Sequence, residues 1–318
     1  MADTPFVRDD VAAFLAFLNA QEGPKMSQLS PTEARMMMRG MRELADAEAT
    51  PLATVKNLSC PGPAGPIPVR LYDKRVEREA GPALVFFHGG GWVIGDIDTH
   101  EPFCSHAAEL LDIPVISVDY RMGPEHVWPA APDDCEAVAR WVATNPPELG
   151  RQINALTLGG DSAGGNLTIV TALALRDNPA EVPVIAQLPI YPATDLARHF
   201  ASMDQFADGY LLTKDSMDWF GAQYAADVTD PRASPALLDQ AGMPPAVVVT
   251  ASLDPIRDQG RLYGELLSRA GVDHVFLEMK GTIHGFICLR KGIPSAADDI
   301  DRLLYAFRSL VHKQMAGH

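Results

Sequence analysis

Cysteine is scarce in this chain: four in 318 residues, Cys60, Cys104, Cys135 and Cys288, with no C-x-x-C pair. A chain of this length is too long for a small stapled module, and thiols so scattered read as reduced packing residues. Positive charge is also short. Lys and Arg total 26 against 41 Asp and Glu, a formal net charge of −15. A polyanion is repelled on average, so neither nucleic-acid binding nor docking on anionic lipid is expected. No uninterrupted apolar run approaches the roughly 18 residues that a membrane helix needs. The amino-terminal stretch has no basic region and carries Asp3, Asp9 and Asp10 among its apolar residues, a poor secretory signal. The cytoplasm is the expected address, and the N-x-[ST] triplets at Asn57 and Asn166 read as chance matches. What is present is a globular composition: 47% hydrophobic and 21% charged, enough apolar surface to exclude a disordered chain.

The first fifty residues read as helical. Val7, Val11, Phe14, Leu15 and Leu18 recur at helical spacing. Ser30-Pro31-Thr32-Glu33 combines a capping box with proline at the first helical position, and the methionine-rich run through Leu44 continues it. From Thr54 the pattern changes to short strands around a Pro/Gly turn, then to continuous apolar runs such as ALVFFH, PVISVDY, ALTLGG, VIAQLPIY and AVVVTAS. Strands buried on both faces read this way. Helical stretches near 100–111, 132–144, 163–177 and 256–270 alternate with them. HVFLEMK is a further strand, and 295–314 a closing helix. The alternation implies an α/β fold with a mostly parallel, doubly wound sheet. Residues 196–226, rich in aromatics, are longer than a crossover needs and read as an inserted lid piece.

The sharpest local signal is Gly160-Asp161-Ser162-Ala163-Gly164, between the strand ALTLGG and a helix. A G-x-S-x-G turn of this kind forces the serine into a strained backbone that lifts its Oγ clear, and only small neighbours fit. A glycine-rich phosphate turn is the competing reading. It lacks both the P-loop lysine and G-x-G-x-x-G spacing. His88-Gly89-Gly90-Gly91-Trp92 follows ALVFF and has the form of an oxyanion loop, where backbone N–H groups must come within about 3 Å of a developing negative oxygen.

A nucleophilic serine needs a base and an orienting acid later in the chain. Of the late histidines, His274 lies within a strand, His312 on the closing helix and His318 at the terminus. Only His284 sits in a loop beyond a strand end. Asp254 ends the strand before it, with Asp195 as the main competitor and Asp258 a helix cap or a partner for Arg257. His100, Glu101, Cys104 and His106 include possible zinc ligands, but Pro102 interrupts them and no H-E-x-x-H spacing occurs. No metal and no cofactor is expected. Trp92, Trp128, Phe206, Leu211, Trp219 and Phe286 are candidates to line a substrate pocket, or to be plain packing.

Five stretches together resemble the hormone-sensitive-lipase-like branch of the α/β-hydrolase superfamily, the bacterial family IV esterases. They are His88–Trp92, Tyr120–His126, Gly160–Gly165, Asp254–Asp258 and His284–Phe286, in order and at fitting intervals from about residue 55 onward. The resemblance implies an α/β-hydrolase fold, and a triad of Ser162, Asp254 and His284. It also implies an oxyanion hole from Gly90, Gly91 and Ala163, with Gly89 as an alternative. A helical cap would be built from residues 1–50 and 196–226, on a core of 51–318. Two stretches depart from the family pattern, with Met122-Gly123 for Leu-Ala and Gln259 for Glu. Asp161 places the chain in the aspartate variant of the elbow, with a role that the sequence leaves open.

The expected activity is hydrolysis of small or short- to medium-chain carboxylic esters through an acyl-enzyme. The only expected partner is the small-molecule ester, with a homodimer left open. An acyltransferase or amidase with the same triad is one alternative. A ligand-binding member of the fold is another. Plant hormone receptors resembling the family have lost the histidine that is retained here as His284.

Overall fold

Apolar runs separated by amphipathic helices assemble into one sheet. The computed structural model describes residues 5–317; Asp3 and His318 lie outside that range. The strands are β1 (Thr54–Gly62), β2 (Gly65–Asp73), β3 (Gly81–Phe87), β4 (Val115–Val118), β5 (Ile153–Asp161), β6 (Val184–Ile190), β7 (Ala246–Leu253) and β8 (His274–Ile283). They lie in the order β1-β2-β4-β3-β5-β6-β7-β8. β2 is antiparallel to both neighbours, and every pairing from β4 to β8 is parallel.

The period-two alternation of side chains feeds two cores. Leu84 and Phe86 face α3 (Ile97–Leu111) and α9 (Ala296–Ala316). Val85 and Phe87 face α4 (Ala130–Ala143), α5 (Ala163–Asp177) and α8 (Arg257–Arg269). Burial on both sides is why these strands read as unbroken apolar runs. α3 starts earlier than its apolar pattern suggests, because Asp96 Oδ1 accepts from Thr99 N at 2.7 Å and caps it; Pro102 then lies inside the helix.

The remaining helices gather at the carboxyl end of β5. α1 (Asp9–Asn19), a 3₁₀ turn (Met26–Gln28) and α2 (Pro31–Ala45) come from the amino-terminal stretch, and α6 (Ala201–Gln205) and α7 (Lys214–Tyr224) from the 196–226 segment. The two parts touch: Asn19 Nδ2 donates to Gly209 O at 3.1 Å, and Ser27 N donates to Asp215 Oδ2 at 3.2 Å. α2 carries its expected cap, with Ser30 N donating to Glu33 Oε2 at 2.8 Å. Among the described residues, no helix is long and apolar enough to cross a membrane.

Candidate active site

β5 ends at Asp161 and α5 begins at Ala163, so Ser162 carries the whole change of direction. Its φ of 56° and ψ of −115° lie in a region that side chains other than glycine rarely adopt. A Cβ on Gly160 would strike Gly164 O, and one on Gly164 would strike Phe87 O, which explains the small flanking residues. The backbone is held by Ser162 N donating to Ile190 O at 2.8 Å, and the side chain faces a cavity.

His284 follows the end of β8. Its Nε2 stands 2.8 Å from Ser162 Oγ, and its Nδ1 2.7 Å from Asp254 Oδ2. Asp254 is fully buried at the end of β7, and its other oxygen accepts from Ile256 N at 2.8 Å. A carboxylate there makes Nδ1 the donor and leaves Nε2 free to accept the serine proton. Asp195 is engaged elsewhere: its Oδ1 accepts from Ala197 N (3.1 Å) and Arg198 N (2.9 Å). Asp258 pairs with Arg257 and accepts from Ser202 N. Gln259 joins the loop after β6 to α8 through Thr194 N at 2.7 Å. Gly123 fits its site because a Cβ there would press on Gln223 O of α7.

The glycine loop sorts its own amides. Gly89 N donates to Asp161 Oδ1 at 2.7 Å, so that amide is committed and Gly89 is not a free oxyanion donor. The N–H groups of Gly90, Gly91 and Ala163 donate to no described residue, and all three residues line the cavity beside Ser162. Ala163 adds the amino-terminal end of α5, where the helix dipole favours negative charge.

Behind this loop lies a pair that sequence reasoning missed. His100 Nε2 is 3.2 Å from Asp161 Oδ1, with both side chains buried; the contact is an ion pair and not an aligned hydrogen bond. Thr99 Oγ1 gives its proton to Asp96 O at 2.8 Å, so it accepts from His100 Nδ1 at 3.0 Å. With Nδ1 donating and Nε2 facing a carboxylate, these surroundings favour the protonated ring. Burial opposes that charge, but Cys288 and Asp161 raise the His100 pKa well above its ordinary value. His88 is the reverse case. Burial, then the facing His100, lowers it to about 4, and its Nδ1 bonds Gly89 O at 2.8 Å. The signal for His100 was one histidine on the helix that follows the glycine loop, which sequence spacing alone does not distinguish from a surface residue.

Ser162 and His284 open into a cavity of about 860 Å³, bounded by α2, α7 and the loops at the sheet's carboxyl edge. Trp92 and Leu211 are on its wall, with Trp92 stacked on Tyr224 at 4.4 Å. The other pocket candidates are corrected. Phe206 is buried against Tyr210 and the Arg257 guanidinium, the latter 5.2 Å from its ring. Trp219 packs with Val93, Ile94 and Phe220. Phe286 is buried edge-on to Tyr191 at 5.4 Å, and Trp128 packs on the core under α4. Their places are taken by Met38 and Met41 of α2 and by Phe220 and Tyr224 of α7. The methionine-rich run in α2 was the available signal.

Comparison with known proteins agrees with this fold. Residues 84–288 match the family described as the alpha/beta hydrolase fold. The chain is 39% identical over 281 residues to the carboxylic ester hydrolase LipN of Mycobacterium tuberculosis, covering 85% of this chain and 74% of that protein. It is 33% identical over 310 residues to an ethyl acetate hydrolase of Pseudomonas putida, covering 94% and 98%. The solved structure of a hyperthermophilic esterase from the archaeon Pyrobaculum calidifontis superposes with a TM-score of 0.89 at 35% identity, over 96% of this chain and 99% of that one. The chain belongs to the α/β-hydrolase family, in its hormone-sensitive-lipase-like branch. It is an enzyme of the hydrolase class.

Proposed function

We propose that this carboxylic ester hydrolase cleaves small and short- to medium-chain acyl esters through a covalent acyl-enzyme. Ser162 is the nucleophile, His284 the base and Asp254 the orienting acid. The unbroken line of contacts Ser162–His284–Asp254, at 2.8 and 2.7 Å, carries this reading. As Ser162 Oγ bonds the ester carbon, its proton passes to His284 Nε2 and the carbonyl electron pair moves onto oxygen. The free amides of Gly90, Gly91 and Ala163 receive that oxygen; each such donor is worth about 3–4 kcal/mol in transition states of this kind. Collapse expels the alcohol, which takes the proton from His284. Water then repeats the sequence on the acyl-enzyme and returns Ser162.

The size preference rests on the cavity of about 860 Å³ beneath α2 and α7 and on the small substrate named for the Pseudomonas putida relative. The amino-terminal helices and the 196–226 segment act as the cap, supported by their mutual contacts over Ser162. The cytoplasm remains the proposed address, in keeping with four unpaired cysteines.

The test is Ser162→Ala with p-nitrophenyl acetate and butyrate. The expected loss in kcat is on the order of a million-fold, and an acyl adduct, expected on Ser162 of the native protein by mass spectrometry, should be absent from the variant. A loss below tenfold, or an adduct elsewhere, overturns the assignment.

A further inference from the structure

α2 carries three arginines on one face, Arg35, Arg39 and Arg42, at helical spacing. Two are consumed in ion pairs. Arg35 holds Glu125 and Arg39 holds Asp96, each at 2.7 Å. Arg42 lines the cavity, its Nε is buried without an acceptor, and no described carboxylate pairs with it. Of the acidic residues just beyond it, Asp46 is taken by Arg290 at 2.8 Å, and Glu48, held by Lys291 at 3.0 Å and mostly in solvent, feels the Arg42 charge without touching it. The neighbouring wall contributes Met38, Met41 and Leu289, none of which bears charge. Arg42 is half-buried, and the fully buried His100 in the wall is balanced by Asp161. Lys25, Arg198 and Lys214, also on the wall, are exposed, and the last two pair with Asp195 and Asp218.

Arg42 shares one cavity with Ser162 and His284. Lys291 N and Gly292 N both donate to Ala45 O, at 2.8 and 2.9 Å, so the last turn of α2 is fastened to the segment following His284. Arg42 is one turn before that bond, in the cavity that Ser162 opens into. A guanidinium in a mostly apolar wall, with a donor left over, is built for a carboxylate, which it meets in a charge-assisted and often bidentate contact.

We propose that Arg42 is an anion subsite, and that the enzyme takes esters carrying a free carboxylate, such as half-esters of dicarboxylic acids. The carboxylate binds Arg42 while Ser162 attacks the ester at the other end. The proposal rests on the reading of Ser162 as nucleophile. It runs against the overall charge of −15, which on its own disfavours an anionic substrate. A preference for the anion therefore has to come from a local site.

The test pairs charged and neutral substrates of equal length. Monomethyl esters from succinate to suberate are compared with their dimethyl esters, for a carboxylate on the acyl side. Acetoxyalkanoates are compared with their methyl esters, for one on the alcohol side. At one chain length on one side, the charged member is expected to have the higher kcat/KM. Arg42→Met should lower that value about tenfold or more, with the neutral partner changed less than about twofold and Arg42→Lys retaining part of the preference. High salt should erode the preference. Calorimetric binding of the half-esters to Ser162→Ala, with and without Arg42→Met, reads the subsite without turnover. Neutral esters preferred at every length on both sides, equal losses for both members in Arg42→Met, or a loss produced by Lys25→Met instead overturns the subsite. Failure of the native protein to turn over even the neutral esters overturns the hydrolytic reading of Ser162, and the binding arm still judges Arg42.

Discussion

Asp161 and His100 face each other at 3.2 Å directly behind Ser162, both buried, with the Asp161 carboxylate also holding the Gly89 amide. One carboxylate thereby connects the residue before Ser162, the glycine loop and a charged ring on α3. A Cβ on Gly89 would strike Asp161 Oδ2, so the loop is seated against it.

Asp161→Asn keeps the shape and removes the charge. It leaves the His100 cation buried without its counter-ion, and breaking a buried pair this way typically costs about 3–5 kcal/mol. The urea midpoint should fall accordingly, and kcat should fall about a hundredfold with KM changed less, because the loop that presents Gly90 and Gly91 loses its seat. Adding His100→Gln should restore part of the stability, since the orphaned charge goes with it. Additive losses in the double-mutant cycle would show that the two residues do not act together.

His88 and His100 give opposite pH dependences. His88 is held at about 4 by burial and by the facing His100. It contributes stability that is fully present above its ordinary pKa of about 6.5 and is lost as pH falls toward 4. His100 is raised well above its ordinary value. It contributes stability present below about 6.5 and lost as pH rises through its folded value. NMR of the ring protons should show His88 titrating only at the acid end and His100 still protonated at pH 7.5. His88→Gln should flatten the fall in Tm between pH 6.5 and 4.

Arg35 fastens α2 to the core at three points. Its Nε donates to Val93 O at 2.8 Å, its Nη2 to Gly123 O at 3.0 Å, and the guanidinium grips Glu125 with two bonds of 2.7 Å. That pairing with Arg35 pushes the Glu125 carboxyl down to about 2. Its share of stability is therefore present above the ordinary glutamate pKa and lost as pH falls toward 2. Half of the Glu125 side chain is in solvent, at 52%, so Glu125→Gln should cost under about 1 kcal/mol. Arg35→Met loses the two carbonyl bonds as well. It should raise KM several-fold and speed hydrogen exchange in 31–45, with little change in exchange of β5.

The sheet and the three contact residues were legible because each leaves a local mark. Buried parallel strands print as apolar runs. A strained serine turn demands Gly160 and Gly164, and a base on a loop past a strand end leaves His284 as the remaining candidate. The cavity wall was less legible. Phe206, Trp219 and Phe286 have the composition of pocket residues, but whether a ring faces a cavity or a core depends on how α6 and α7 pack, and neither helix has a strong period of its own. The pairing of His100 with Asp161 was invisible for a related reason: the two lie 61 positions apart in sequence and adjacent in space.

Asp254 and Asp195 are both buried carboxylates, and sequence order alone left both in play; the structure puts Asp254 directly after β7 and Asp195 in the loop beyond β6, which ends at Ile190. Their surroundings separate them. Asp254 accepts from His284 and from Ile256 N, whereas Asp195 accepts from the amides of Ala197 and Arg198 and pairs with Arg198 at 3.4 Å. Asp254→Asn should therefore act on chemistry. The amide holds the ring in the wrong tautomer, and a loss on the order of ten-thousandfold in kcat is expected with KM little changed. Asp195→Asn should act on the fold around the turn before α6, lowering Tm while leaving kcat within a few-fold. Measuring kcat, KM and Tm for both variants decides the assignment. If Asp195→Asn abolished turnover and Asp254→Asn did not, the orienting acid would be the wrong carboxylate and the role of His284 would have to be reconsidered with it.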